Sequence, residues 1–226
     1  MRTASFSLFT ILCLALTGFA QTTIFSEGPI DGYDNAMLIT GPDNLNFQGT
    51  VLDTSNGFVA IRYGTPTQLE FGEWIATGFT PSSIDYELGS TAFGTNLGSG
   101  TVAQNSGNSH FLFTNTFGWD VYDVTIPVTS AMMWPGNEYW LSLSNASDSQ
   151  GNNSTEAWDI PNGGLGGPAT CNIRQSGTNF GDCGLGGESF TLTSYFYEYT
   201  PEPSSILLFG SGILGLAGIL RRKLSV

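Results

Sequence analysis

Residues 138–145 read EYWLSLSN, and in this stretch apolar and polar side chains alternate at every second position. Successive side chains of a β-strand point to opposite faces of the sheet, so Tyr139, Leu141 and Leu143 share one face. Trp140 lies on the opposite face with the serines. The alternation predicts a strand that is buried on one side, and either face could be the buried one.

Similar short runs of β-branched and aromatic residues recur along the middle of the chain. They cover residues 57–63, 68–76, 83–88, 110–115, 120–127, 155–160 and 188–199. Turn residues such as Ser55-Asn56-Gly57 and Pro135-Gly136-Asn137 separate them, and no helical stripe of three turns interrupts them. Many short strands with this punctuation predict an all-β domain, built as an antiparallel β-sandwich or jelly roll.

The first twenty residues have the composition of a secretory signal peptide. Arg2 precedes an apolar run over residues 6–16, and the small residues Gly18 and Ala20 fit a cleavage site. We therefore expect residues 1–20 to form an apolar signal helix. The mature, exported chain is expected to begin at Gln21.

The other end of the chain has three consecutive parts. Pro201-Glu202-Pro203 comes first, an uncharged apolar segment covers residues 204–220, and Arg221-Arg222-Lys223 follows it. An apolar segment of this kind, followed by cations, predicts a transmembrane helix with its basic end in the cytoplasm. The sequence thus divides into a signal peptide (1–20), a β-sandwich ectodomain (21–200) and a C-terminal sorting segment (201–226).

This tail resembles the PEP-CTERM sorting signal of Gram-negative bacteria, in its Pro-Glu-Pro motif, apolar span and terminal cations. The resemblance implies recognition by an exosortase, a membrane-embedded enzyme that cuts near the motif and releases or attaches the ectodomain. The chain is then the substrate of that enzyme. The implied route leads from the inner membrane, occupied transiently, to the cell surface or the extracellular matrix.

The middle of the chain resembles an ectodomain that recurs ahead of PEP-CTERM tails, over roughly residues 24–194. The resemblance rests on residues 137–146, 157–159 and 189–193, with Asp34-Asn35, Phe71-Gly72, Trp74 and residues 83–86. It implies a β-sandwich, likened to carbohydrate-binding modules, without a catalytic motif.

The charge of the middle segment is strongly negative. Residues 21–203 contain all 19 Asp and Glu residues but only two cations, Arg62 and Arg174, which gives a formal charge of −17. Such a surface repels nucleic acid, so we expect no nucleic-acid partner. It would attract cations, Ca²⁺ in particular, although solubility alone also explains it.

Cys171 and Cys183 are the two cysteines of the exported part, and in an oxidising compartment they predict a disulfide within one loop. No cofactor is expected, except a structural Ca²⁺ ion. Its candidate ligands lie in two oxygen-rich segments and are Asp31 and Asp34 in one, and Asp148 and Glu156 in the other. Solvated turns are the alternative interpretation of both segments.

The sequence offers little for catalysis, because His110 is the single histidine and no Gly-x-Ser-x-Gly motif accompanies it. We therefore expect a non-catalytic protein of the extracellular polysaccharide matrix. A carbohydrate-binding module is the alternative, with Trp134 and Trp140 as the aromatic faces on which sugar rings would stack. A glycoside-active enzyme is the third hypothesis.

Overall fold

The computed structural model describes residues 20–32, 35–40, 52–150, 156–161, 171–175, 178–182 and 187–196. Over these ranges the chain forms strands, turns and bends, and Gln21–Tyr195 makes one compact unit. No helix with the length and apolarity of a membrane span occurs among them. The all-β fold class is confirmed. The predicted signal helix, apart from Ala20, and the predicted transmembrane helix at 204–220 lie outside the described residues.

Thirteen strands follow one another along the described chain. They are β1 (Ala20–Glu27), β2 (Asn35–Thr40), β3 (Leu52–Val59), β4 (Gln68–Ala76), β5 (Pro81–Gly89), β6 (Gly98–Ala103), β7 (Ser109–Thr114), β8 (Trp119–Pro127), β9 (Glu138–Asp148), β10 (Glu156–Ile160), β11 (Cys171–Gln175), β12 (Thr178–Asp182) and β13 (Phe190–Phe196). Seven of them form one sheet and six form another.

Strand β4 is the centre of the seven-stranded sheet. β8 pairs antiparallel along its full length on one edge, from Gln68 opposite Pro127 to Ala76 opposite Trp119, and β7 pairs with β8. On its other edge β4 pairs with β13 and then with β10, and these continue to β1 and β2. The six-stranded sheet has the order β12-β11-β3-β9-β5-β6.

The apolar faces of the two sheets meet in one core, as the strand alternation predicts. Tyr139, Leu141 and Leu143 of β9 face inward, and both leucines are fully buried. Phe71 and Trp158 meet them from the seven-stranded sheet. Each side chain of this kind contributes about 1.5–3 kcal/mol when it is removed from water, so the core stabilises the β-sandwich.

Strand β3 lies earlier in the chain than the sequence predicts. The turn expected at Ser55-Asn56-Gly57 is wrong, because these residues lie inside β3, which ends at Val59. The polar side chains find partners in the folded state: the hydroxyls of Ser142 and Ser55 are hydrogen-bonded at 2.8 Å. Asn56 Nδ2 donates a long hydrogen bond of 3.4 Å to Glu27 Oε2.

The segment between the two cysteines also differs from the single loop that was expected. It contains β11 and β12, which pair antiparallel, and β11 pairs in turn with β3 from Cys171 opposite Asn56 to Gln175 opposite Leu52. Backbone pairing with a neighbouring strand holds these short polar strands, so their sequence lacks an apolar alternation.

Candidate functional site

The predicted site residues fall into several separate places. Pro201, Glu202, Pro203, Arg221, Arg222 and Lys223 lie outside the described residues. Cys171 is fully buried at the start of β11. Cys183 lies outside the described residues, so its disulfide with Cys171 stays a prediction.

The described candidate calcium ligands lie in three different segments of the chain. Asp31 precedes β2 and its backbone N–H donates to Asp159 Oδ2 at 3.1 Å. Asp148 is buried at the end of β9, where its Oδ1 accepts from the Gln150 N–H at 2.8 Å, and Glu156 is fully buried in β10. Asp34 lies outside the described residues. No group of three or more His, Cys, Asp or Glu in the described ranges is arranged to hold a metal ion.

The two candidate sugar-stacking tryptophans have different surroundings. Trp140 is half-buried on the outer face of the six-stranded sheet, where its register partners are Gly57 of β3 and Gly89 of β5. Trp134 is 59% exposed in the segment between β8 and β9. Trp134 is therefore the more accessible of the two rings.

Trp134 does not stand alone, because the ring of Tyr63 stacks against it. The two ring centroids are 6.4 Å apart with an angle of 28° between the planes, and Tyr63 is 51% exposed. Ile61 and Met132, in the same two segments, are also exposed. We call the stacked pair Tyr63 and Trp134 the aromatic platform.

Backbone hydrogen bonds hold the platform in place. Gly64 and Met133 form an isolated antiparallel bridge, with N–H to O=C distances of 3.1 and 2.8 Å, and the Met133 side chain is fully buried. The Trp134 N–H donates to the buried Tyr139 hydroxyl at 2.8 Å. Tyr63 directly precedes the bridged Gly64, and Trp134 directly follows the bridged Met133. The bridge therefore positions the two rings before any ligand binds.

A platform of this kind suits a sugar polymer. Aromatic rings offer flat apolar faces with low conformational freedom, and the apolar faces of pyranose rings stack on them. Both residues are more than half exposed, so a sugar chain can reach their rings. Residues 125–137 contain no charged residue, and Arg62 next to Tyr63 is one of two arginines in the acidic middle segment.

One pair of interacting carboxyls lies in the interior. Glu73 of β4 and Glu156 of β10 are both fully buried and hydrogen-bonded to each other, and Gln104 Nε2 donates to Glu73 Oε2 at 2.6 Å. Burial raises the pKa of Glu73 to about 7, and the hydrogen bonds from Glu156 and Gln104 offset only part of that rise. The pair therefore keeps a proton near neutral pH.

Asp159 of β10 forms a second buried polar centre, on the opposite face of the seven-stranded sheet. Its carboxylate accepts hydrogen bonds from Trp74 Nε1 at 2.7 Å and Ser189 Oγ at 3.2 Å. Backbone N–H groups of Asp31 and Gly32 add two more, at 3.1 and 3.0 Å. This carboxylate ties the chain after β1 to the sheet, which is a structural role.

Comparison with known proteins identifies the tail. Residues 200–223 match the family described as the PEP-CTERM protein-sorting motif. No curated protein matches the chain as a relative. The chain therefore carries a PEP-CTERM sorting domain, as its Pro-Glu-Pro motif, apolar span and terminal cations predict. Its presence implies export and processing by an exosortase at the envelope of a Gram-negative bacterium.

Proposed function

We propose that this PEP-CTERM protein is a non-catalytic component of the extracellular polysaccharide matrix, which contacts the polysaccharide through its aromatic platform. The exposed, stacked pair of Tyr63 and Trp134 carries the proposal, because two accessible aromatic rings held side by side offer flat apolar faces on which sugar rings can stack. The apolar segment at 204–220 would hold the chain in the inner membrane until the exosortase acts.

The buried carboxyls support a non-catalytic role. Glycoside hydrolysis needs two carboxyls that flank a substrate cleft about 5–9 Å apart. The hydrogen-bonded pair Glu73 and Glu156 is fully buried, so a sugar chain does not reach it. His110 is exposed on β7, in a run of exposed aromatic and aliphatic side chains.

A binding experiment tests the platform. The exported protein, Trp134→Ala and Tyr63→Ala are incubated with polysaccharide purified from the producing cells, and the bound fraction is measured by sedimentation. Loss of one stacking ring removes about 1.4 kcal/mol, so we expect binding about tenfold weaker in each variant. Phe117→Ala is the matched control, because Phe117 is 60% exposed and stacks on Trp74 away from the platform.

The outcomes separate the candidate functions. Equal binding by all four proteins would overturn the platform as the binding surface. Saturable binding of a short, defined oligosaccharide would favour a carbohydrate-binding module. Hydrolysis of the polysaccharide, abolished by a single Asp→Asn substitution, would favour the enzyme instead.

Mass spectrometry of the native C-terminus tests the processing step. A terminus near Pro201-Glu202-Pro203 in protein recovered from the cell surface is expected. Peptides that still contain Leu216 and Arg221 in all recovered protein would show an ordinary membrane anchor and would refute exosortase cleavage.

A further inference from the structure

Glu27, Asn56 and Glu188 are three buried polar side chains of the β-sandwich, and three of their oxygen atoms accept no hydrogen bond from another residue. Glu188 precedes β13 and is fully buried, and neither of its carboxylate oxygens is hydrogen-bonded to another residue. Asn56 of β3 is also fully buried and its Oδ1 has no hydrogen-bond partner. Unsatisfied buried acceptors of this kind are costly and need a physical explanation.

The three side chains come from separate parts of the fold. Glu27 is the last residue of β1, 6% exposed, and its Oε2 is 3.4 Å from Asn56 Nδ2. A Cβ atom placed on Gly187 would come within 2.5 Å of both Glu27 carboxylate oxygens. Glycine at 187 thus lets the Glu27 carboxylate approach the backbone beside Glu188.

Among the residues that the structure describes, no cation balances the charge at this place. Of the two arginines in the acidic middle segment, Arg174 pairs with Asp53 at 2.6 Å and Arg62 is exposed. Burial is the main cause that raises the pKa of Glu188, to about 8; its own backbone N–H offsets part of the rise, and the Glu27 carboxylate adds to it. One shared proton would satisfy two of the oxygens, whereas a hard cation would satisfy all of them.

We infer that Glu27, Asn56 and Glu188 form a binding site for one Ca²⁺ ion. Ca²⁺ takes six to eight oxygen ligands, among them carboxylates that bind through one or both oxygens, and side-chain amide carbonyls. Two carboxylates and one amide oxygen supply the larger part of such a shell and the two negative charges that balance the ion. Since the ligands lie in β1, in β3 and before β13, the ion would join both sheets.

Titration with calcium chloride tests the site. The full chain, purified in mild detergent and freed of metal with a chelator, is titrated near pH 7.5 while ion uptake is measured by calorimetry. One ion per chain is expected. At a free concentration about 100 times the dissociation constant, the midpoint of thermal unfolding should rise by about 5–10 °C.

The variant Glu188→Gln distinguishes a bound calcium ion from a proton shared between the two carboxyls. This variant keeps the shape of the side chain and removes one buried charge, so it should fold, and in chelator it should unfold at a higher temperature than the natural chain. It should not respond to calcium. Glu73→Gln is the matched control, because it removes a buried carboxyl elsewhere and should keep the full calcium response.

Three results would overturn the inference. No calcium uptake by the natural chain would indicate a protonated carboxyl pair. A calcium response that persists in Glu188→Gln but disappears in Asp148→Asn would place the ion at the end of β9. An equal response to magnesium chloride would refute the assignment to calcium, since Mg²⁺ demands a smaller octahedral shell.

Discussion

Replacing Glu73 with glutamine should flatten the dependence of stability on pH. In the unfolded chain this carboxyl ionises near its ordinary pKa of 4.5, whereas in the folded core its pKa is about 7. Between these values the folded state holds a proton that the unfolded state has released, so stability falls as pH rises. Each pH unit costs about 1.4 kcal/mol, which gives a total of about 3 kcal/mol by neutral pH.

The substitution suits the site because glutamine has the shape of the acid. Its Oε1 can still accept the 2.6 Å hydrogen bond from Gln104 Nε2, and its Nε2 can donate to Glu156. We therefore expect little change in the free energy of unfolding at pH 4.5. At pH 7.5 the variant should be more stable than the natural chain by about 3 kcal/mol.

Urea unfolding at a series of pH values from 4.5 to 8, with calcium held at constant excess, measures this difference. Other buried carboxyls titrate equally in both proteins, so subtraction isolates Glu73 and its effect on Glu156. Glu138→Gln is the control, because Glu138 is exposed at the start of β9 and should follow the natural chain. The free energy of unfolding is plotted against pH for the natural chain and for Glu73→Gln. If the difference between the two curves changes by less than about 1 kcal/mol over this pH range, the reasoning is refuted.

Two further substitutions test the polar anchor and the turn that supports the platform. Each carboxylate oxygen of Asp159 accepts two hydrogen bonds, and in Asp159→Asn an NH₂ group replaces one of these oxygens, so two donors lose their acceptor. The free energy of unfolding, measured by urea denaturation, should therefore fall by about 3 kcal/mol. A loss below about 1 kcal/mol would mean that the four hydrogen bonds contribute little. Gly136 has φ +80° in the turn after Trp134, and an added Cβ meets no atom within 4 Å. Gly136→Ala should therefore cost about 1–2 kcal/mol through backbone strain alone, read from the thermal midpoint, and an unchanged midpoint would contradict this.

The strands that sequence alone predicted are those with an alternating apolar face. β4 has the bounds predicted for it, and β9 buries Tyr139, Leu141 and Leu143, which is one of the two faces that its alternation left open. β6 and β12 escaped prediction because they are rich in glycine or polar residues and are held by backbone pairing at the edges of the six-stranded sheet. β1 and β2 also escaped prediction although they bury Ile24 and Ile39, so local pattern identifies only some of the strands that reach the core.

The candidate sites were only partly predictable for a related reason. Trp134 could be placed at a surface turn from the adjacent Pro135-Gly136. Its partner Tyr63 could not, because the bridge between Gly64 and Met133 that brings the rings together is a tertiary contact. The sequence predicts calcium ligands in oxygen-rich loops, whereas the site that we infer combines Glu27 and Glu188, which are far apart in sequence and belong to the neighbouring strands β1 and β13 or their flanks.

The openness of the aromatic platform sets how strongly one molecule can hold a polymer. Two rings bury little of a sugar chain, so a single copy would detach within moments. Copies sorted to the same cell surface would present many such contacts to one long strand, and each rebinding event would then occur at a high local concentration. Retention of the polysaccharide would depend steeply on the number of protein copies per unit of surface. A lower surface density would release the polysaccharide even though the affinity of each single contact stayed the same.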